Sequence, residues 1–194
     1  MAIGLPVPPD DRKVRRADAP AERLDGGRYH VRMYLDGMSF LEEEREAWRP
    51  FEALLELTDA DLERPVAGAH GWSGRDLMGH LTVWLEWWLA IATELAIGPA
   101  SPSFDRIRAV SRTWDADGDA LNAGYQAEWR DLPMAEVRRR FSATPGELRG
   151  YLTVVPESRW LKDAAHVESL LGNTSEHYAE HEADLRAILA AAGR

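Results

Sequence analysis

The sequence predicts an all-α protein, a four-helix bundle with long connections behind an extended N-terminal arm. Apolar residues recur three and four apart along four long segments, which is the pattern of helices that bury one stripe. Helix-capping residues stand at the start of several of these segments. Beyond residue 37, no segment shows the strict alternation of apolar and polar residues that indicates a strand.

Residues 1–37 are rich in proline, glycine and charge, and we interpret them as an extended arm. The stretch "YHVRMYL" is the one ordered candidate in the arm, as a short alternating strand. Residues 38–194 are then the bundle domain.

The first two long helices carry clear start signals. "SFLEEEREAWRPFEALLELTD" predicts a helix capped by Ser39, with Glu42 three residues later completing a capping box. "GWSGRDLMGHLTVWLEWWLAIATELAIG" predicts a second helix, which begins with the pair Ser73 and Asp76 and ends at Gly98.

The second half of the chain supplies two more long helices. "MAEVRRRFSATPGELRGYLTVV" either starts afresh at Thr144 or is one helix with a kink at Pro145. "NTSEHYAEHEADLRAILAAAG" is the last helix, ended by Gly193. We interpret "SPSFDRIRAVSRTWDADGD" and "ESRWLKDAAHVESLLG" as long connections, the first followed by a shorter helical piece, "ALNAGYQAEWRDL". Four long helices with long connections favour a four-helix bundle.

Composition narrows the classes of function. The net charge of −10 disfavours nucleic acid as a partner, because phosphate backbones repel such a surface. No run approaches the roughly 20 apolar residues of a membrane span. The chain has no cysteine, so any thiol chemistry needs a thiol from outside, and a reducing cytoplasm is the expected location. Eight tryptophans indicate an aromatic core or pocket for a small molecule.

Three histidines on two predicted helices point inward. His177 and His181 are four apart and continue the apolar stripe of the last helix, while His80 lies on the inward face of the second helix. Facing helices of a bundle commonly build metal sites, and three imidazoles suit Zn, Ni, Fe or Cu with a position left for water or substrate. Core histidines that are hydrogen-bonded rather than metal-bound are the competing interpretation, and the spacing alone does not decide between the two.

Four further residues are candidates around these histidines. Trp84 and Trp88 follow His80 at helical spacing, and either could line a substrate pocket or simply fill the core. Asp76, one turn before His80, and Asp184, on the same face as His181, are candidate outer-shell partners of a metal.

Two of these motifs resemble a known superfamily. "GWSGRDLMGHLTVW" is similar to the G-W-S/T-x-x-D-x-x-x-H-L element of the DinB-like superfamily, and "NTSEHYAEHEADLRAIL" to its closing helix with H-x-x-x-H. The superfamily includes the N-terminal domain of mycothiol-dependent maleylpyruvate isomerase and the ClbS/DfsB four-helix-bundle proteins. The resemblance spans residues 39–193.

The resemblance implies a bundle with a long crossover between its second and third helices. It implies a divalent metal, commonly Zn or Ni, on the positions of His80, His177 and His181, and a homodimer. It further implies a thiol-dependent transferase or isomerase that uses a low-molecular-weight thiol such as mycothiol or bacillithiol, or a metal-dependent hydrolase. The alternative is a metal-free protein that binds a small molecule, or a self-resistance protein of the ClbS/DfsB type, with a tryptophan-lined pocket. The isomerases tend to have glutamate at the position of His177, which sets this chain apart from them.

Overall fold

The computed structural model describes residues 36–194. The predicted arm and its strand candidate therefore lie outside the described residues, apart from Asp36 and Gly37, which cap and begin the first helix. The α-helices are α1 (Gly37–Trp48), α2 (Asp59–Glu63), α3 (Gly74–Ile97), α4 (Pro102–Arg130), α5 (Met134–Val154), α6 (Ala164–Asn173) and α7 (Ser175–Ala191). Short 3₁₀ helices occupy Arg49–Glu56, Ala67–Ala69 and Glu157–Arg159.

Helices α1, α3, α5 and α7 form a four-helix bundle. Helix α1 packs on α5 and α7, and α3 packs on the same two helices, so that each member of the bundle has two neighbours within it. The predicted all-α bundle is therefore confirmed. None of the helices in residues 36–194 combines the length and the apolar run that crossing a membrane requires.

The segment after the second helix, predicted as a long connection followed by a shorter helical piece, is the single 29-residue helix α4. Its N-terminus is capped, because the Ser101 hydroxyl accepts from the backbone N–H of Phe104 at 3.1 Å and Pro102 occupies the first turn. Its apolar pattern is weak because few of its side chains are buried; Phe104, Ile107 and Trp129 are the large ones. The helical piece was predicted correctly, but the connection before it was wrong because the helix packs along one narrow stripe and is solvated elsewhere.

Helix α4 serves as the crossover of the bundle. Trp129, near the end of α4, packs directly on Gly79, near the start of α3; a Cβ at Gly79 would lie 2.8 Å from the indole carbons. Arg140 of α5 stacks over the same indole at 4.4 Å and pairs with Glu86 of α3. Since α4 returns the chain to the start of α3, helices α3 and α5 run in the same direction.

Three other sequence expectations are corrected or decided. Asp36 caps α1 by accepting from the backbone N–H of Ser39 at 2.8 Å, so Ser39 is not the cap. The connection before the last helix contains α6. Helix α5 runs unbroken through Pro145, because buried apolar residues continue its stripe on both sides of the proline.

A buried network joins three helices of the bundle. Glu44 of α1 is almost completely buried and accepts from Arg149 of α5, at 2.5 Å, and from the Tyr178 hydroxyl of α7, at 2.9 Å. Burial, together with the Glu44 carboxylate, raises the pKa of Tyr178 well above its usual range. Trp48 packs on Tyr178 with ring centroids 5.2 Å apart. These contacts fix the first turn of α7, which carries His177.

Candidate metal centre

His80 lies in the second turn of α3, whose start is rigidly capped. The Ser73 hydroxyl accepts from the Asp76 N–H at 3.2 Å, and the Asp76 carboxylate accepts from the Ser73 N–H at 2.9 Å. This is the capping box predicted from the sequence. The other Asp76 oxygen accepts from Arg130 Nε at 2.9 Å. The cap and Arg130 thus engage both oxygens of Asp76, and the side chain of His80 is buried inside the bundle.

His177 and His181 occupy the first turns of α7. The backbone breaks at Thr174, with φ −126° and ψ −109°, and separates α6 from α7 by a single residue. The Thr174 hydroxyl donates to the Leu170 carbonyl at 2.6 Å. Because Tyr178 is anchored to Glu44, the beginning of α7 is held against α1, and His177 is directed towards α3.

The three imidazoles converge on one point between α3 and α7. His80 Nε2 lies 2.8 Å from His177 Nε2, and His181 Nε2 lies 3.1 Å from the same atom. One ligand nitrogen from each residue lies within 4.8 Å of the other two. His80 and His177 are buried, and the side chain of His181 is 15% exposed. The centre is thus buried but reaches solvent on the side of His181.

A bound metal ion would satisfy the nitrogens of the three imidazoles better than hydrogen bonds between the rings do. His181 Nδ1 lies 2.9 Å from Asp184 Oδ2, which places a proton on Nδ1 and leaves the Nε2 lone pair pointing into the centre. His177 Nε2 can donate one hydrogen bond or accept one, yet it has two imidazole nitrogens within bonding distance. A divalent cation would satisfy three converging lone pairs, whereas protons cannot satisfy all three.

Burial lowers the pKa of His177 well below its usual range, and the nearby His181 lowers it further. His177 is therefore neutral at pH 7, which is the form of imidazole that binds metals.

Two tryptophans pack against the histidines. Trp72 stacks on His181, with centroids 5.5 Å apart and planes 22° from parallel, and meets His80 edge-on at 4.9 Å. Trp84 lies on another side, 6.4 Å from His80 and 6.2 Å from His177. Trp84 was proposed from the sequence; Trp72 was missed because it precedes the helix. Its position in the G-W-S element was the sequence feature that could have indicated a place beside the histidines.

The other candidates fall in different places. Asp184 contacts His181 directly, whereas Asp76 belongs to the cap of α3. Trp88 is fully buried two turns beyond His80, where its ring packs on Phe104 and His166 at centroid distances of 6.3 Å and 6.4 Å. The structure thus brings Trp84, but not Trp88, into ring contact with the three converging histidines.

His70 stands at the rim of the centre. Its Nε2 lies 3.8 Å from Asp184 Oδ1, and its side chain is more exposed than those of the three converging histidines. Its backbone is left-handed, with φ 57°, and Gly71 follows with φ 83°. The turn is closed by the Gly71 N–H, which donates to the Val66 carbonyl at 3.0 Å. This turn places Trp72 against His80 and His181.

A helical bundle with a three-histidine cluster between two of its helices defines the class of this protein. The chain belongs to the family of the mycothiol maleylpyruvate isomerase N-terminal domain, whose model matches residues 44–186. The match confirms the resemblance drawn from the two motifs, and its range includes all three histidines. Comparisons with curated proteins and with solved structures found no match.

Proposed function

We propose that the chain is a divalent-metal protein that holds Zn or Ni on His80, His177 and His181. The observation that carries the proposal is the convergence of three imidazole nitrogens on one point. Their donor set fits these borderline metals. The side chain of Asp184 supports the set by orienting His181.

The chemistry we propose is the activation of an external thiol against an electrophilic small molecule, in a transferase or isomerase reaction. A divalent ion held by three protein ligands keeps a position for a further ligand and lowers the pKa of a thiol or water bound there. The chain has no cysteine, so the nucleophilic sulfur has to come from a cofactor. The family description names mycothiol, which is such a cofactor. Hydrolysis, with water in place of the thiol, is the other reaction that this donor set supports.

Titration of the metal-free protein with Zn²⁺ and Ni²⁺ tests the proposal. We expect one tight site per chain, lost in His177→Gln and kept in His166→Gln, whose ring packs on Phe104 in a different part of the bundle. Cobalt-loaded protein then tests the thiol. A new near-ultraviolet absorption band upon addition of mycothiol supports thiol binding, and an unchanged spectrum favours the hydrolase.

A metal-free binding protein remains the second candidate, because the 2.8 Å separation of His80 Nε2 and His177 Nε2 is also that of a hydrogen bond. In that case His177→Gln destabilises the fold, and added metal changes neither stability nor ligand binding. The expected homodimer and cytoplasmic location stay predictions.

A further inference from the structure

Trp84 links the histidines to helix α4. One part of its environment is formed by His80 and His177, and another by two aromatic side chains of α4. Trp114 meets it edge-on with centroids 5.4 Å apart, and Tyr125 does so at 6.4 Å. Trp84 itself is buried, whereas Trp114 is only partly buried. The Trp84–Trp114 pair therefore leads from the centre towards the surface.

A buried glycine makes room for Trp114. Glycine is less favourable than alanine inside a helix, and Gly118 lies in the middle of α4. A Cβ at Gly118 would lie 2.8 Å from Cδ2 and Cε2 of the Trp114 indole. The indole thus lies on the glycine, and a larger residue at position 118 would move the ring. At Gly124, on the same helix, a Cβ would meet nothing within 4 Å.

The rings around the three converging histidines are apolar. Their ring neighbours are Trp72 and Trp84, which offer apolar faces. A ligand at the centre therefore meets indoles beside its metal-binding atom.

We propose that the Trp84–Trp114 pair, held in place by Gly118, is the wall that selects the substrate of this centre: a molecule with a flat apolar group next to its metal-binding or reactive atom. The assignment rests on the proposed metal centre. Flat rings gain from packing edge-on or offset against indoles, beyond the gain from burying their area.

Binding of imidazoles with and without a phenyl group to cobalt-loaded protein tests whether the Trp84–Trp114 pair contacts the ligand. The probes are imidazole and phenylimidazole, and the visible absorption of cobalt gives each dissociation constant. We expect phenylimidazole to bind about tenfold more tightly than imidazole. Gly118→Ala should lose most of the phenyl gain, because its Cβ displaces Trp114.

Gly124→Ala is the matched control: it makes the same change on the same helix without a clash, and it should keep the full phenyl gain. Because the new Cβ of Gly118→Ala also lies against the Trp114 indole, urea unfolding first confirms that both variants are folded, and the phenyl gain is then taken as the ratio to imidazole within each variant. Equal phenyl gains in the wild type and both variants, with cobalt bound, overturn the wall alone. Failure of the wild-type chain to bind cobalt overturns the metal centre and, with it, this assignment.

Discussion

The hydrogen bond between Asp184 and His181 orients one imidazole of the proposed centre. Removing the carboxylate in Asp184→Ala frees the His181 ring to rotate, and we expect metal affinity to fall about 10–100-fold while the fold is kept. Competition with a coloured chelator measures the affinity. Glu182→Ala, which removes an exposed carboxylate from the same helix, serves as the control. Equal losses in both variants would show that general charge, not orientation, is responsible.

His177 gives the metal-free protein a pH dependence of known sign. Its pKa is lowered in the folded state, so the unfolded chain takes up a proton first as the pH falls. Below the ordinary histidine pKa of about 6.5, the free energy of unfolding should decline by at most about 1.4 kcal/mol per pH unit, and recover as the pH rises.

Urea unfolding of chelator-treated protein between about pH 5 and pH 7 measures this slope. His177→Gln should have a shallower slope than the wild type by this amount. Identical slopes in the two proteins would mean that His177 is not held neutral by its surroundings.

At the residue scale, the sequence located the histidines because helical spacing carries the needed information. His177 and His181 are one turn apart, and the inward face of α3 follows from its apolar stripe. Trp72 could not be placed in this way, because the turn that orients it depends on hydrogen bonds to Val66. Trp88 shares the spacing of Trp84, but Phe104 and His166 surround it, and their packing against α3 was not foreseen.

Helix α4 shows that the pattern of apolar residues predicts a helix poorly when most of the helix is solvated. Its first part was interpreted as a connection because most of its circumference is solvated, so the apolar period is nearly absent. Ser101 and Pro102, which form its start, were not recognised as a capping signal. Helices α3 and α7, which bury broad stripes, were predicted well.

The close contact between α4 and α3 at Gly79 allows the packing of these two helices to be tested. Gly79→Ala places a Cβ against the Trp129 indole, and we expect it to reduce the free energy of unfolding by about 1–3 kcal/mol. Gly124→Ala, with open space, should instead stabilise the protein by up to about 1 kcal/mol. Urea titrations of both variants compare them, and a stabilised Gly79→Ala would refute the close contact.

The bundle as a whole is tied together by Glu44, which joins α1, α5 and α7. Glu44→Ala leaves Arg149 and the Tyr178 hydroxyl without this buried acceptor, and we expect a loss of about 3–5 kcal/mol in the free energy of unfolding. Glu46→Ala, which breaks an exposed pair with Arg49, should change it by no more than about 0.5 kcal/mol. Thermal unfolding of the two variants separates these outcomes, and similar melting temperatures would contradict the role of Glu44.

The same network places His177, so the fold and the proposed centre depend on one another. The architecture of the bundle was predictable from four apolar stripes and two motifs. The buried Glu44–Arg149 pair was not, because a charge on a helix usually indicates a solvated face. The side chains proposed to contact the substrate include ones from α4, whose directions are set by tertiary contacts.

The metal content of the protein tests the central claim most directly. The chain is purified without a histidine tag and without chelators, and its metal is measured by mass spectrometry against protein concentration. We expect about one Zn or Ni ion per chain in the wild type, and loss of that ion in His177→Ala. Wild-type protein with no stoichiometric metal, and with a melting temperature that chelation leaves unchanged, would contradict the account.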